Sequence, residues 1–255
     1  MNSLNLDEVC IYVNQSIESF HRRRIEIISQ LTLRKLTNKN PYLFRAKNIT
    51  TAAELIQSTL DAFLSSSEEK LFGDFLEDLA IFIASKTING RKSTAPGMDL
   101  EFEREGVYYL VSIKSGPNWG NSSQHRRLTT DFNNAERRLR QSTHIKAVQK
   151  VLGICYGKTK TATTNDGYIK VVGQNFWTLI SGNQNLYIEI IEPLGYKAKE
   201  HNDHYHNEYG KVSNTLTYHF IQTYCTPDGA IDWPKLIQAN SGNDDLDIFF
   251  GKDRA

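Results

Sequence analysis

Apolar residues recur at mostly helical spacing over residues 5–36, where Val9, Ile11, Tyr12, Val13, Ile17, Phe20, Ile25, Ile27, Ile28 and Leu31 predict one long helix. Asn40-Pro41 breaks that pattern, since a residue before proline is pushed out of the α region. Thr51 caps a second predicted helix running to about Leu64, and Glu54 completes a capping box. A third runs from about Glu68 to Ala84, with Phe72, Phe75, Leu76, Leu79 and Ile83 recurring at three and four. Asn89-Gly90 reads as a turn. The period then changes to two. Gly97 to Glu103 and Val107 to Gly116 read as a hairpin about Arg104-Glu105-Gly106. A loop over Pro117–Ser123 leads into a helix to about Gln141. Val148–Tyr156 is a buried strand, Gly157–Gly167 a polar loop, and Tyr168–Val172 a fourth strand. Helices follow at Gln174–Ile180, from Leu186 to roughly His201, at Gly210–Tyr224 and at Trp233–Ala239. The order predicts an α/β chain with a small mixed central sheet flanked by helices, and helical N- and C-terminal segments. A single domain over 1–255 is expected: a helical segment 1–66, a core 67–173 and a helical segment 174–255.

Composition adds two constraints. The chain has 255 residues, 39% hydrophobic, and a net charge of +1, so no overall basicity marks a nucleic-acid partner. The charge is unevenly spread. Gln124–Lys150 carries seven Arg or Lys against one Asp and one Glu, whereas Ser181 to the end carries six against eleven acids. Such a split fits a polyanion-facing surface with an acidic surface elsewhere, and equally two solvated surfaces. Three scattered cysteines, Cys10, Cys155 and Cys225, with no CxxC spacing, argue against a zinc knuckle or a disulfide framework and suit a reducing, cytoplasmic setting. No segment approaches 18 consecutive apolar residues, so no membrane partner is expected.

The hairpin carries the chemistry. Its second strand, Val107-Tyr108-Tyr109-Leu110-Val111-Ser112-Ile113-Lys114, is apolar yet ends in lysine. With three residues of turn, Phe102 or Glu103 would pair near Val107, and Asp99 would lie across from the Val111–Lys114 region. Ser112 and Lys114 share one face, as do Asp99, Glu101 and Glu103. If the faces coincide, a carboxylate and an ammonium meet at one end of the sheet. The carboxylate could hold Mg²⁺, a hard cation taking oxygen ligands, and the lysine could orient or deprotonate a water or neutralise a phosphate. That combination suits phosphodiester hydrolysis. The same residues could equally form a cross-strand ion pair worth about 0.5 kcal/mol.

Gly97-Met98-Asp99 followed by Ser112-Ile113-Lys114 resembles the PD-(D/E)xK nuclease superfamily, and more narrowly a type II restriction endonuclease. The resemblance covers about Glu68–Gly157. Lys39-Asn40-Pro41-Tyr42-Leu43-Phe44, Phe72-Gly73 and Ser112-Ile113-Lys114-Ser115-Gly116 also resemble the layout of restriction enzymes that cut interrupted GG/CC-type palindromes. It implies a restriction-endonuclease-like core, with Asp99 as a metal ligand and Lys114 positioning or activating the water. The departure is Ser112, which stands where the family has an acid two residues before the lysine. A hydroxyl is a poor metal ligand, so a displaced acid is expected. Glu77 in Phe75-Leu76-Glu77-Asp78-Leu79 is the first choice, and Asp131 and Glu136 are the weaker ones, with Ser112 left as a polar neighbour in the motif's acid place. Asp78 points about 100° away from Glu77 around the helix, and spacing alone does not decide between the two.

The resemblance further implies double-stranded DNA as partner, Mg²⁺ as cofactor, and a homodimer matching a two-fold site. Ser115, Asn118, Asn121, Ser122, Ser123 and Gln124 supply neutral donors just past the catalytic strand, and Arg126 and Arg127 follow at a helix start. These suit phosphates or guanine edges. Lys158 and Lys160 offer a second contact, and Arg22-Arg23-Arg24 is expected on a helix surface. His201, His204 and His206 read as a solvated helix end rather than a metal site. The alternatives are a repair or recombination nuclease of the same fold and a non-catalytic DNA-binding relative.

Overall fold

The computed structural model describes residues 2–142, 145 and 147–243. In chain order the elements are α1 (Leu6–Ser29), α2 (Leu33–Thr37), α3 (Pro41–Ala46), α4 (Ala52–Thr87), β1 (Arg91–Lys92), β2 (Leu100–Arg104), β3 (Val107–Lys114), α5 (Ser122–Ser142), β4 (Ala147–Ile154), β5 (Ala162–Thr163), β6 (Ile169–Val172), α6 (Gln174–Ser181), α7 (Leu186–Glu189), α8 (Ile191–Leu194), α9 (Ala198–Tyr224) and α10 (Trp233–Ser241). The expected mixed α/β architecture is present. The chain divides into two compact units, one of Met1–Phe20 with Lys70–Ala198 and the other of His21–Glu69 with Lys199–Ala255. The end of the expected C-terminal segment, residues 244–255, lies outside the described residues.

The first unit holds a six-stranded sheet in the order β1-β2-β3-β4-β6-β5. β1, β2 and β3 are antiparallel neighbours, β3, β4 and β6 run parallel, and β5 returns antiparallel to β6. Alternation along β3 divides its side chains between two cores. Val111 and Ile113 join Leu100, Phe102 and Val151 against Phe75, Leu79 and Ile83 of α4. Tyr108 and Leu110 join Leu152 and Ile154 against Leu128 and Phe132 of α5. Each fully buried aliphatic side chain contributes roughly 1.5–3 kcal/mol. The sheet is thus clamped by a helix on each face.

The second unit is helical. Ile28, Leu36, Phe44, Leu55, Ile56 and Leu60 pack with Tyr205, Leu216 and Phe220 of α9 and Leu236 of α10. Asn40 does more than break a helix: its Oδ1 accepts from the Tyr42 and Leu43 amides and, with Pro41 in the first turn, starts α3.

Four boundaries differ from the sequence expectation. The predicted 5–36 helix stops at Ser29, and Thr32 caps a separate α2. The two helices expected at 51–64 and 68–84 are one 36-residue α4. Its mid-helix serines bond back along the helix, Ser66 Oγ to the Ala62 carbonyl at 3.2 Å and Ser67 Oγ to the Phe63 carbonyl at 3.0 Å, so they need no break. The helix expected from Leu186 splits at Ile190 into α7 and α8, the latter ending at Gly195, while α9 runs through Gly210. The hairpin turn has two residues, not three: Glu105 and Gly106 both take positive φ, 54° and 75°, so Arg104 pairs with Val107.

Candidate active site

That tighter turn fixes the register. Leu100 faces Val111, and the Asp99 amide donates to the Val111 carbonyl at 2.9 Å, so Asp99 stands opposite Ser112. β2 ends there. The Ile113 amide would otherwise reach for the next rung of the ladder, and instead it donates to Asp99 Oδ2 at 2.6 Å. The same oxygen accepts from Ser112 Oγ at 3.2 Å and lies 3.5 Å from Lys114 Nζ. The carboxylate therefore replaces a strand residue, and its orientation is set by backbone. Among the described residues Oδ1 has no hydrogen-bond partner. Ser112 is buried at 1% exposure, and its hydroxyl helps to orient Asp99.

Lys114 Nζ also donates to the Ile113 carbonyl at 2.7 Å and lies 5.4 Å from the centre of the Trp119 ring. Glu77 approaches from α4 and is half-buried, whereas its neighbour Asp78 is largely exposed. Burial and then the charge of Asp99 push the Glu77 carboxyl above its usual value, against the lowering effects of Lys92 and Lys114. Glu77 is thus within electrostatic reach of both candidate residues. Lys92, on the two-residue edge strand β1, lies 3.5 Å from Glu77 Oε1 and 3.8 Å from Asp78 Oδ1. Nothing in Arg91-Lys92-Ser93 marks it in sequence, because so short an edge strand has no alternation to read.

The two weaker candidates separate. Glu136 is held by Lys150 at 2.7 Å and Arg140 at 2.8 Å, and these bonds keep its carboxyl below the ordinary range. Asp131 lies against Gly97: a Cβ there would sit 2.6 Å from Asp131 Oδ2, and Gly97 also has φ +80°. Among the described residues no three His, Cys, Asp or Glu side chains gather closely enough to hold an ion. Asp99 and Glu77 are the two carboxylates here that could contribute to a divalent-cation site, since a hard cation can take one or two protein carboxylates and complete its shell with water and substrate oxygen.

The loop after β3 is built more firmly than its composition suggested. Asn121 Oδ1 accepts from the Ser123 and Gln124 amides, each at 3.1 Å, and Gln124 Oε1 returns to the Asn121 amide at 2.9 Å. This is a reciprocal cap of α5. Ser122 is exposed beside it, as is Asn118 within the loop, and Ser115 is half-buried. His125, in the first turn of α5, stands edge-on to Trp119 and lies 3.1 Å from the hydroxyl of Tyr168, the residue before β6. Arg126 and Arg127 are exposed, the latter 3.9 Å from Asp131. Lys158 and Lys160 lie exposed in the loop after β4. Gly157 of that loop abuts Pro117, so the two loops flank one end of the sheet.

Two expectations elsewhere need correction or context. Arg24 is not a surface arginine: its side chain is 12% exposed, bonds Glu68 at 2.7 Å and stacks over Tyr205. His201 stacks on His21, and His206 lies 3.0 Å from Asn202.

A mixed six-stranded sheet flanked by helices is consistent with a restriction-endonuclease-like fold. The chain belongs to the family of type II restriction endonuclease EcoO109I, whose family model matches residues 7–202. Membership makes the protein a DNA-binding nuclease of the restriction class. No curated protein matches the chain. Among the described residues no helix is long and apolar enough to cross a membrane.

Proposed function

We propose that the protein is a Mg²⁺-dependent PD-(D/E)xK endonuclease that cuts double-stranded DNA at a specific palindromic site, acting as a homodimer in the cytoplasm. The carrying observation is the convergence of Ser112 Oγ, the Ile113 amide and Lys114 Nζ on one oxygen of Asp99, with Glu77 alongside. Asp99 and Glu77 would hold the ion. When bound, Mg²⁺ would lower the pKa of the attacking water and offset charge on the scissile phosphate. Ser112 and the Ile113 amide keep Asp99 oriented. Lys114, held near Asp99, orients or deprotonates the water or neutralises a phosphate oxygen. Ser115, Asn118 and Ser122 would meet the DNA backbone beside Arg126 and Arg127, with the Asn121, Ser123 and Gln124 cap fixing that helix start, and Lys158 and Lys160 contacting from the neighbouring loop.

Digestion of a sequenced plasmid with and without Mg²⁺, followed by end mapping, tests this reading. Discrete fragments with identical ends, formed only with the ion, are expected. Binding without cleavage would favour the non-catalytic alternative that Ser112 motivates, and cleavage dependent on DNA structure would favour a repair enzyme. Sedimentation should give about twice the 29.1 kDa chain mass.

A further inference from the structure

Lys92 lies outside the Asp99 and Ser112-Ile113-Lys114 motif, yet it pairs with Glu77, 3.5 Å from Oε1, and also lies 3.8 Å from Asp78 Oδ1. Its backbone is fixed beside the other candidate ligand. Lys92 pairs with Leu100, and the amide of the next residue, Ser93, donates to the Asp99 carbonyl at 3.1 Å. The base of the side chain is therefore anchored one residue from Asp99, while the side chain itself is 65% exposed. An ammonium so placed supplies positive charge to Glu77 from a flexible stem, and an exposed ion pair of this kind separates at little cost.

We propose that Lys92 is a positioning residue: a displaceable internal cation that holds Glu77 in the ion-free protein and gives way when a divalent ion binds. The inference rests on Glu77 and Asp99 being the ion's ligands. The lysine would keep the two carboxylates from repelling each other before the ion arrives, and it would compete with the ion for Glu77. It would thus raise the ion concentration needed to load the site before DNA is bound.

The test is Mn²⁺ binding to the DNA-free protein, read from the electron paramagnetic resonance of free Mn²⁺. Lys92→Met keeps the stem and removes the charge, and at this exposure it should fold normally. Its Mn²⁺ affinity should rise roughly two- to fivefold, the size of one exposed ion pair. The gain should shrink at high salt, since exposed charges are screened. Lys92→Arg should bind as the parent does. In a Glu77→Gln background the Lys92→Met gain should vanish. Unchanged or weaker binding by Lys92→Met, with Glu77→Gln still impaired, overturns the role of Lys92 and leaves the proposed ligands standing. Parent-like Mn²⁺ affinity in Glu77→Gln overturns the ligand assignment itself, and the role of Lys92 with it.

Discussion

Replacing Asp99 by Asn separates the two tasks the residue performs. Its Oδ2 accepts from the Ile113 amide at 2.6 Å and Ser112 Oγ at 3.2 Å, so the amide oxygen of Asn must take that place. The NH₂ group is then turned to the Oδ1 position, where a carboxylate oxygen would otherwise face a cation. Both donors would keep an acceptor, but a neutral one. Hydrogen bonds to charged groups contribute about 1.5–3 kcal/mol and neutral ones about 0.5–1.5, so the variant should lose about 1–2 kcal/mol of stability and stay folded. Cleavage should suffer far more. An ion's stabilisation of the reacting phosphate amounts to several kcal/mol, and about 1.4 kcal/mol is tenfold in rate, so a loss of about 10³-fold or more is expected. Binding to cognate DNA without metal should hold or tighten, because a negative charge has left the phosphate's neighbourhood. Urea melts, plasmid digestion and fluorescence anisotropy measure the three quantities. Parent-like cleavage at ordinary Mg²⁺ by a folded Asp99→Asn protein would refute the reasoning.

Lys114→Ala should abolish cleavage and spare DNA binding, since it removes a group needed at the scissile phosphate; near-normal digestion by a folded variant would exclude the lysine from the chemistry. Glu77→Gln should lose Mg²⁺-dependent cleavage, whereas Glu136→Gln, which breaks the pairs with Lys150 and Arg140, should mainly lower the urea midpoint; the reverse pattern would move the acid to α5. Arg126→Ala with Arg127→Ala should weaken binding to cognate and random duplexes alike and reduce the salt slope by about one per phosphate contact, or cost about 1–3 kcal/mol at the cognate site alone if one reads guanine; unchanged titrations at two salt concentrations would remove both from the interface. His21 is held neutral to about pH 4 by burial and by the neighbouring His201 and Arg24. The unfolded chain binds that proton from about pH 6.5 downward, so the folded state loses stability as pH falls from about 6.5 to 4. His21→Gln should flatten this part of the pH–stability curve, and an unaltered slope in urea melts would contradict it.

Much of the site was legible because strand chemistry is local. Period-two alternation alone puts Ser112 and Lys114 on one face, and a hairpin with a short turn must bring Asp99 near them. Element types were likewise fixed by apolar spacing, as in α5, β4 and α10. Boundaries were less so. Ser65–Ser67 looked like a break, but local hydroxyl-to-carbonyl bonds let α4 continue through it. Arg24 looked solvated until Glu68 and Tyr205 enclosed it.

Tertiary structure decided what depends on groups distant along the chain. A 36-residue helix passing the sheet turns Glu77 toward Asp99 and leaves Asp78 exposed, a choice that hydrophobic spacing cannot make for adjacent acids. Glu136 of α5 is paired with Lys150 of β4, a contact that spacing along the helix does not show. Lys92 enters because a two-residue edge strand pairs with β2, and so short a strand leaves no periodic mark. The sequence by itself determined which residues could do the chemistry, through patterns a few residues long. The order of the strands and the packing of α4 and α5 on opposite faces determined which of them meet, because an electrostatic interaction depends on distance in space, not along the chain.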